Sequence, residues 1–269
     1  MRMLSLVTVS YFHSLDLRKN IPNWIEFLGT DVEILIIDNS KGRDTDLYSI
    51  SGPVRVIKSE NLGFGAGNNI GISESSFDSV ILVNPDVRFL DGITQAVNYV
   101  LTNKNKVIGF RDTSRNEGLY YNIKPKNFIK SFFHIRIGKF DARNHFFSGA
   151  LIAFPKSTPL RFDENIFLYF EETDLLLNAI SKGIEVSMYD GRAVYEHIKD
   201  RQSFSPLLKR HEYESGIYVL RKWNISIIIS LLLVCISLLV KGLLEAFFLN
   251  ANKLKELKIL INVWVCRRN

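Results

Sequence analysis

Apolar blocks and helix-compatible stretches alternate along the first half of the chain. Residues 4–10, LSLVTVS, form a β-rich run, and a helical stretch follows over 15–28. VEILIID at 32–38 is almost continuously apolar, as a strand buried on both faces should be. VRVIKS at 54–59 reads as a third strand. A glycine-rich turn, a helix over 68–75 and a fourth strand, SVILVN at 79–84, come next. Strands separated by helical segments predict βαβ units and a mostly parallel sheet. Ligands of such sheets gather at the carboxyl ends of the strands. Asp38 and Asp86 each stand at the end of a strand, which predicts that they share one rim.

The pattern dissolves over 111–144, where basic and aromatic residues mix without a period (KPKNFIKSFFHIRIGKF). This segment reads as a long loop or short hairpins covering the rim, or as plain surface loop. Order returns with a strand in FFSGALIAF, 146–154, and a helix in FLYFEETDLLLNAISKG, 167–183, ending on a glycine cap. EVSMYD and RAVYEH read as closing strands or extended segments. The tail differs in kind. Residues 225–240 are sixteen in a row without charge, short of the roughly 20 that a spanning helix needs. Lys241 and Glu245 then stand four apart. Beyond them Leu254, Leu257, Ile261 and Trp264 share one helical stripe, with Lys253, Lys255, Glu256, Lys258 and Asn262 off it. That is a basic amphipathic helix of the kind that lies in a bilayer interface. Arg221, Lys222 and Trp223 precede the apolar run as interfacial anchors. The alternative is a helical pair packed on the domain or on a second copy, as in a homodimer. The expected division is a domain over 1–223 and a membrane-associated helical region over 224–269.

Composition narrows the class. A chain of 269 residues with 46% hydrophobic content can bury a full core without disulfides. Its two cysteines, Cys235 and Cys266, form no CxxC pair, so neither a disulfide framework nor a cysteine zinc site is expected. The opening Met1-Arg2-Met3-Leu4 reads as the start of a strand rather than a secretory signal. A net charge of +6 suits an anionic substrate or a membrane surface. Nucleic acid is the weakest of the basic-protein partners, because no finger, RNP-type or helix-turn-helix signature is present.

Four stretches carry candidate chemistry. ILVNPDVRF, 81–89, ends an apolar strand on Asn84-Pro85-Asp86, either a turn facing water or a carboxylate fixed where a metal ion can meet it. NLGFGAGNNIGI, 61–72, lets the backbone of Gly63, Gly65 and Gly67 approach a phosphate or ribose, or is a turn shaped only for packing. It departs from the dinucleotide fingerprint, since the third glycine would fall on Asn68 and the motif follows the third strand. Asp38-Asn39-Ser40 offers an acceptor for the N3–H of a pyrimidine, or an Asx turn. In FEETDL, Glu171, Glu172 and Asp174 crowd a helix start. The helix dipole favours acids there, and a carboxylate at a cleft lip among aromatics also suits a general base.

Taken in order, Asp38-Asn39-Ser40, NLGFGAGNNIGI, VNPDV, SGALIAF, FLYFEETDLLLNAISKG and His197 with Ser203 resemble glycosyltransferase family 2. The likeness runs over about 4–223 and is nearest the bacterial rhamnosyltransferase-like branch of O-antigen and surface-polysaccharide synthesis. It implies an α/β GT-A fold, inversion, a nucleotide-sugar donor and a divalent Mg²⁺ or Mn²⁺. By position, it implies that Asp38 contacts the pyrimidine, and that Gly65, Asn68, Asn69 and Asn84 line the donor. Asp86 takes the metal place, with Asn84 where many relatives carry a first aspartate. His197 takes the place of a histidine that touches metal or diphosphate in some relatives, and a structural histidine is the alternative. Glu172 stands at the base position, where relatives usually have aspartate after a glutamate. The Asn-Pro-Asp form points to dTDP-L-rhamnose as donor, with UDP-galactofuranose, UDP-hexose or UDP-N-acetylhexosamine as rivals. The implied acceptor is a lipid-linked or growing glycan at the cytoplasmic face of the bacterial inner membrane. Outside the class, a nicotinamide oxidoreductase and an inactive membrane scaffold are the rivals. The altered glycine fingerprint speaks against the first, and the presence of both Asp86 and Glu172 against the second.

Overall fold

The computed structural model describes residues 4–114, 117–127, 130–131, 135–198, 205–247 and 252–266, without the side chains of 237, 240–247, 252–254, 265 and 266. Two compact units emerge, one of 1–120, 136–167 and 171–199, the other of 121–135, 168–170 and 200–269.

The first unit is built on a seven-stranded sheet in the order β10-β6-β9-β4-β1-β2-β3. Its middle is the βαβ series expected: β1 (Leu4–Ser10), α1 (Ser14–Leu28), β2 (Glu33–Asp38), β3 (Val54–Lys58), α2 (Phe64–Glu74) and β4 (Ser79–Val83). Strand β1 is buried along its whole length and pairs in parallel with β2 on one side and β4 on the other. This double-sided burial explains why the strands read as apolar runs. The rest of the unit comprises β5 (Val87–Phe89), α3 (Ile93–Thr102), β6 (Lys106–Gly109), β7 (Leu119–Tyr121), β8 (His145–Phe147), β9 (Leu151–Pro155), α4 (Glu171–Ser181), β10 (Glu185–Met188) and β11 (Tyr195–His197). Strand β9 runs antiparallel to both β4 and β6, so its amino end lies at the rim where β4 ends. Residues 111–144 hold β7, which pairs with β8, and otherwise lack long elements among the described residues.

Helix α1 packs through Leu17, Ile21, Trp24 and Leu28, a stripe repeating every three to four residues. It also clamps the backbone beyond β4. Asn20 Nδ2 donates to the Pro85 carbonyl (2.8 Å), Trp24 Nε1 to that of Val87 (2.9 Å), and Phe89 N to Asn23 Oδ1 (2.7 Å). Helix α2 begins four residues before the helix expected over 68–75, so Gly65 and Gly67 lie inside its first turn rather than in a turn ahead of it. The cause is close packing. A Cβ on Gly71 would sit 2.2 Å from Val7 Cγ1, and one on Gly67 3.0 Å from Val9. Gly183, at φ +70°, ends α4 as the expected cap.

The second unit contains α5 (Pro206–Lys222), α6 (Ile227–Phe247) and α7 (Asn252–Cys266). Ser205 caps α5 by accepting from Leu208 N (3.4 Å), with Pro206 opening the first turn. Ile217, Leu238, Leu260 and Val263 form its buried centre, with Leu257 and Trp264 packed against them. The inward stripe of α7 therefore differs from the expected one. Ile261 is exposed and Glu256 is buried, because α7 packs on both α5 and α6 and the buried arc widens to meet two neighbours. The side chain of Leu254 and all of Ser203 lie outside the described residues. Among the described residues no helix is long and apolar enough to cross a membrane.

Candidate active site

Ser10, Asp38 and Lys58 stand in register across β1, β2 and β3, and the Asn84-Pro85-Asp86 tip follows β4 on the same rim. The backbone is contorted there. Phe12, Lys41 and Asn61, each two to three residues past a strand end, have φ of 61°, 64° and 55°. Such left-handed conformations in residues other than glycine concentrate at sites where the chain must turn sharply around a ligand.

Asp86 Oδ1 lies 3.1 Å from His197 Nε2. The pairing follows from β11 lying antiparallel on β5, with His197 opposite Val87 and Ile198 N donating to the Asp86 carbonyl (3.0 Å). The Nδ1 of His197 and the Oδ1 of Asn84 are buried and have no hydrogen-bond partner among the described residues. Asn84 is itself tied to β9, its N–H donating to the Ala150 carbonyl (2.9 Å).

Glu172 stands in the first turn of α4 against the bend that leads into β9. A Cβ on Gly149 would meet Glu172 Cβ at 3.3 Å and Oε2 at 3.6 Å. Burial holds its carboxyl above the usual carboxylate range, although the side chain keeps partial contact with solvent. Its neighbours Glu171 and Asp174 are buried at 4% and 1% exposure, facing inward three residues apart. Glu172 is therefore the one acid of the cluster whose side chain is open to solvent.

The remaining expected residues take mainly internal roles. Asp38 is fully buried and forms the Asx turn, with Oδ1 accepting from Ser40 N (2.8 Å) and Oδ2 from Gly42 N (2.9 Å) and Tyr48 OH (2.8 Å). Asn69 Nδ2 donates to the Phe162 carbonyl and to Glu164 Oε1 (both 3.0 Å), while its Oδ1 accepts from Phe162 N (2.9 Å). Asn68 Nδ2 donates back to the Phe64 carbonyl (3.0 Å). Gly65 is pressed on Phe162, where a Cβ would come to 2.8 Å. The glycine-rich stretch thus seats α2 on its own protein.

Sequence reasoning passed over two groups. Tyr11 and Phe12 are half exposed at the end of β1, their rings edge to face at 4.9 Å, and Arg43 lies 5.3 Å over Phe12. The signal was an aromatic pair at a strand's carboxyl end. Asp112, Ser148 and Tyr195 form the other group. The Tyr195 phenol is raised by burial first and by Asp112 second. Nothing in the isolated sequence links three residues so far apart.

Solved structures share this architecture. A mannosyltransferase from Pyrobaculum calidifontis, in complex with GDP-Man and Mn²⁺, matches with a TM-score of 0.60 at 11% identity over 98% of this chain and 86% of that one. TarS from S. aureus matches at 0.53 and 13% identity over 82% of this chain, which spans only 39% of TarS. TarS 1–349 in complex with UDP-GlcNAc gives 0.54 and 12% identity over 99% of this chain and 92% of that one. At such identities the likeness is one of fold, and the fold is the expected GT-A arrangement. No curated protein sequence matches the chain. The family model for Glycosyl transferase family 2 matches residues 5–163, more than half of the sequence. The sheet with its rim of strand ends and the matched span together show that the chain belongs to glycosyl transferase family 2.

Proposed function

We propose that this glycosyltransferase is inverting and metal-dependent. In this reading it moves L-rhamnose from dTDP-L-rhamnose to a lipid-linked or growing glycan in surface-polysaccharide synthesis. The observation that carries the mechanism is Glu172, a carboxyl raised by burial yet still reachable at the helix start beside β9. A raised pKa makes a stronger base once ionised. Glu172 accepts the proton of an acceptor hydroxyl, and the oxygen attacks the anomeric carbon. The bond to the nucleoside diphosphate breaks with its electron pair leaving on the diphosphate. A single displacement from the opposite face inverts the centre.

Asp86, His197 and Asn84 fit a divalent ion. The 3.1 Å between Asp86 Oδ1 and His197 Nε2 is the separation of two neighbouring ligands on one ion, about 3 Å for bonds near 2.1 Å. The unpartnered Asn84 Oδ1, two residues before Asp86, would be the third donor in this reading. These oxygen and imidazole groups suit Mg²⁺ or Mn²⁺ completed by water and phosphate. Such an ion, when bound, neutralises charge gathering on the departing diphosphate. The Mn²⁺ in the mannosyltransferase complex supports this reading. The Asn-Pro-Asp form supports rhamnose. The UDP-GlcNAc and GDP-Man held by the solved relatives make those sugars the rivals to test.

The test is a thermal-shift panel of nucleotide sugars with and without Mn²⁺, followed by determination of the product anomer. A ligand that binds only the native state raises its melting temperature. Rhamnose transfer with inversion is the expected result. A shift from another donor reassigns the sugar, and a retained anomer removes the mechanism. We propose that the protein works at the cytoplasmic face of the inner membrane, a reading supported by an exposed apolar row on α6 (Ile228, Ile229, Leu232, Ile236, Leu239) close in sequence to the cationic Arg221 and Lys222.

A further inference from the structure

The helical unit holds a half-open pocket of about 370 Å³. Protein cores leave few voids larger than a water, and this volume would hold about a dozen waters at roughly 30 Å³ each. It is therefore not packing slack. Ligand sites of small molecules start at about 300 Å³ and are mostly apolar with a few polar groups. Here the walls are chiefly aliphatic and aromatic, with Leu231, Val234 and Leu238 from α6, Ile217 and Leu220 from α5, and Phe170. The polar residues of the wall are Asn122, Lys124, Ser131, Glu212, Ser230 and Glu256. Ser230 Oγ is buried without a partner among the described residues. Glu256, at 5% exposure, accepts from Tyr213 OH (3.4 Å), and Glu212 also lines the wall.

We infer that this cavity binds the hydrocarbon chain of an amphiphilic acceptor. Two observations point to that occupant. The aliphatic wall selects a chain. The helix that supplies Leu231, Val234 and Leu238 also exposes the apolar row of Ile228, Leu232 and Ile236, so its surroundings suit a molecule drawn from a bilayer. The connection to chemistry is covalent. Phe170 precedes Glu172 by two residues, which holds their Cα atoms within about 7.6 Å at 3.8 Å per link. Phe170 is also fixed in place. It adopts φ +68°, and its ring lies where a Cβ on Gly216 would come to 3.1 Å.

This inference rests on the transferase reading for the identity of its occupant as acceptor. The full-length protein is tested with farnesol as an uncharged probe, by equilibrium dialysis. Saturable binding is expected, weakened about tenfold or more in Val234→Trp, which fills the cavity. Ser230→Leu is the second filling variant, and it decides alone if Val234→Trp fails to fold. In transfer assays, Val234→Trp should raise the KM for a farnesyl-bearing acceptor relative to a butyl-bearing one. Farnesol binding that is absent, or equal in the wild type and in the folded filling variants, overturns the proposal. Equal KM ratios in wild type and variant also overturn it, while leaving the transferase intact. Binding that is lost on filling in a protein that transfers no sugar supports the cavity and counts against the transferase mechanism alone.

Discussion

Glu172 is the residue where geometry and electrostatics make opposite demands. A buried carboxyl favours its protonated form, whereas a base must be ionised. The carboxyl is raised in the folded state, so the protonated form stabilises the fold at low pH. That advantage is lost as pH climbs from the unfolded value, about 4.3, through the raised folded value. Glu172→Gln removes the ionisation. Its melting temperature should match the wild type in acid and exceed it at neutral pH, while transfer falls about 10²-fold or more. Melting curves across pH, paired with turnover, check both halves. A variant that melts lower at neutral pH would show that the carboxylate is held ionised by partners instead. Asp86→Ala should abolish metal-dependent donor binding, and Asn84→Ala should weaken it less, because an amide oxygen is a poorer ligand. Full activity of the wild type in excess EDTA would refute the metal reading. At this scale the sequence was partly legible. Asp86 and Glu172 stand out because acids at strand tips and helix starts are local patterns. Asp38 and Asn69 were harder to read, since whether an amide or carboxylate faces a ligand or its own backbone depends on residues as distant as Phe162.

At the scale of elements, the tip after β4 owes its position to α1. Three side chains of one helix, Asn20, Asn23 and Trp24, hydrogen-bond the backbone at 85, 89 and 87. Asn20→Ala leaves the Pro85 carbonyl buried without its donor and should cost about 1–3 kcal/mol. Because Asp86 is the next residue, donor affinity should fall along with the denaturation midpoint. A stability loss with unchanged donor affinity would mean that the tip is held by β5 and β11 alone. The glycines of α2 make a second case. Gly71→Ala would drive a methyl into Val7 and should destabilise by about 1–3 kcal/mol, the range for overpacked cores. Long buried strands were readable from their apolar runs, as 32–38 became β2 at Glu33–Asp38. β11 falls within RAVYEH, but β5 and its pairing with β11 were not legible, because a strand of three residues carries no period. The glycines left two readings open for a physical reason. Close approach to a phosphate and close approach to a valine demand the same missing side chain.

For the whole molecule, the question is what the helical unit adds to a transferase domain. Composition separated a different tail from the rest of the chain. The burial of Glu256 shows why a stripe read from one helix fails once that helix touches two others. The outer row of α6 is the exposed apolar surface on which the proposed membrane contact rests. Replacing Ile228, Leu232 and Ile236 together with glutamate should abolish sedimentation with anionic vesicles and leave the melting temperature near that of the wild type, since all three are exposed. Vesicle binding that survives the triple replacement would move the membrane contact elsewhere.

Strand β9 has a wider meaning through its reversed direction. Six strands of the sheet run one way and contribute their exits to the rim, while β9 contributes its entrance. The stretch from β6 to β9 can therefore be exchanged as a cartridge, since the register of the sheet is set behind it by Ser79 to Val83 opposite Pro155 to Leu151. Chimeras that swap residues 111–144 with those of another family member should keep the donor and trade the acceptor. A chimera that instead changed its donor would show that the two halves of the reaction are not separately replaceable.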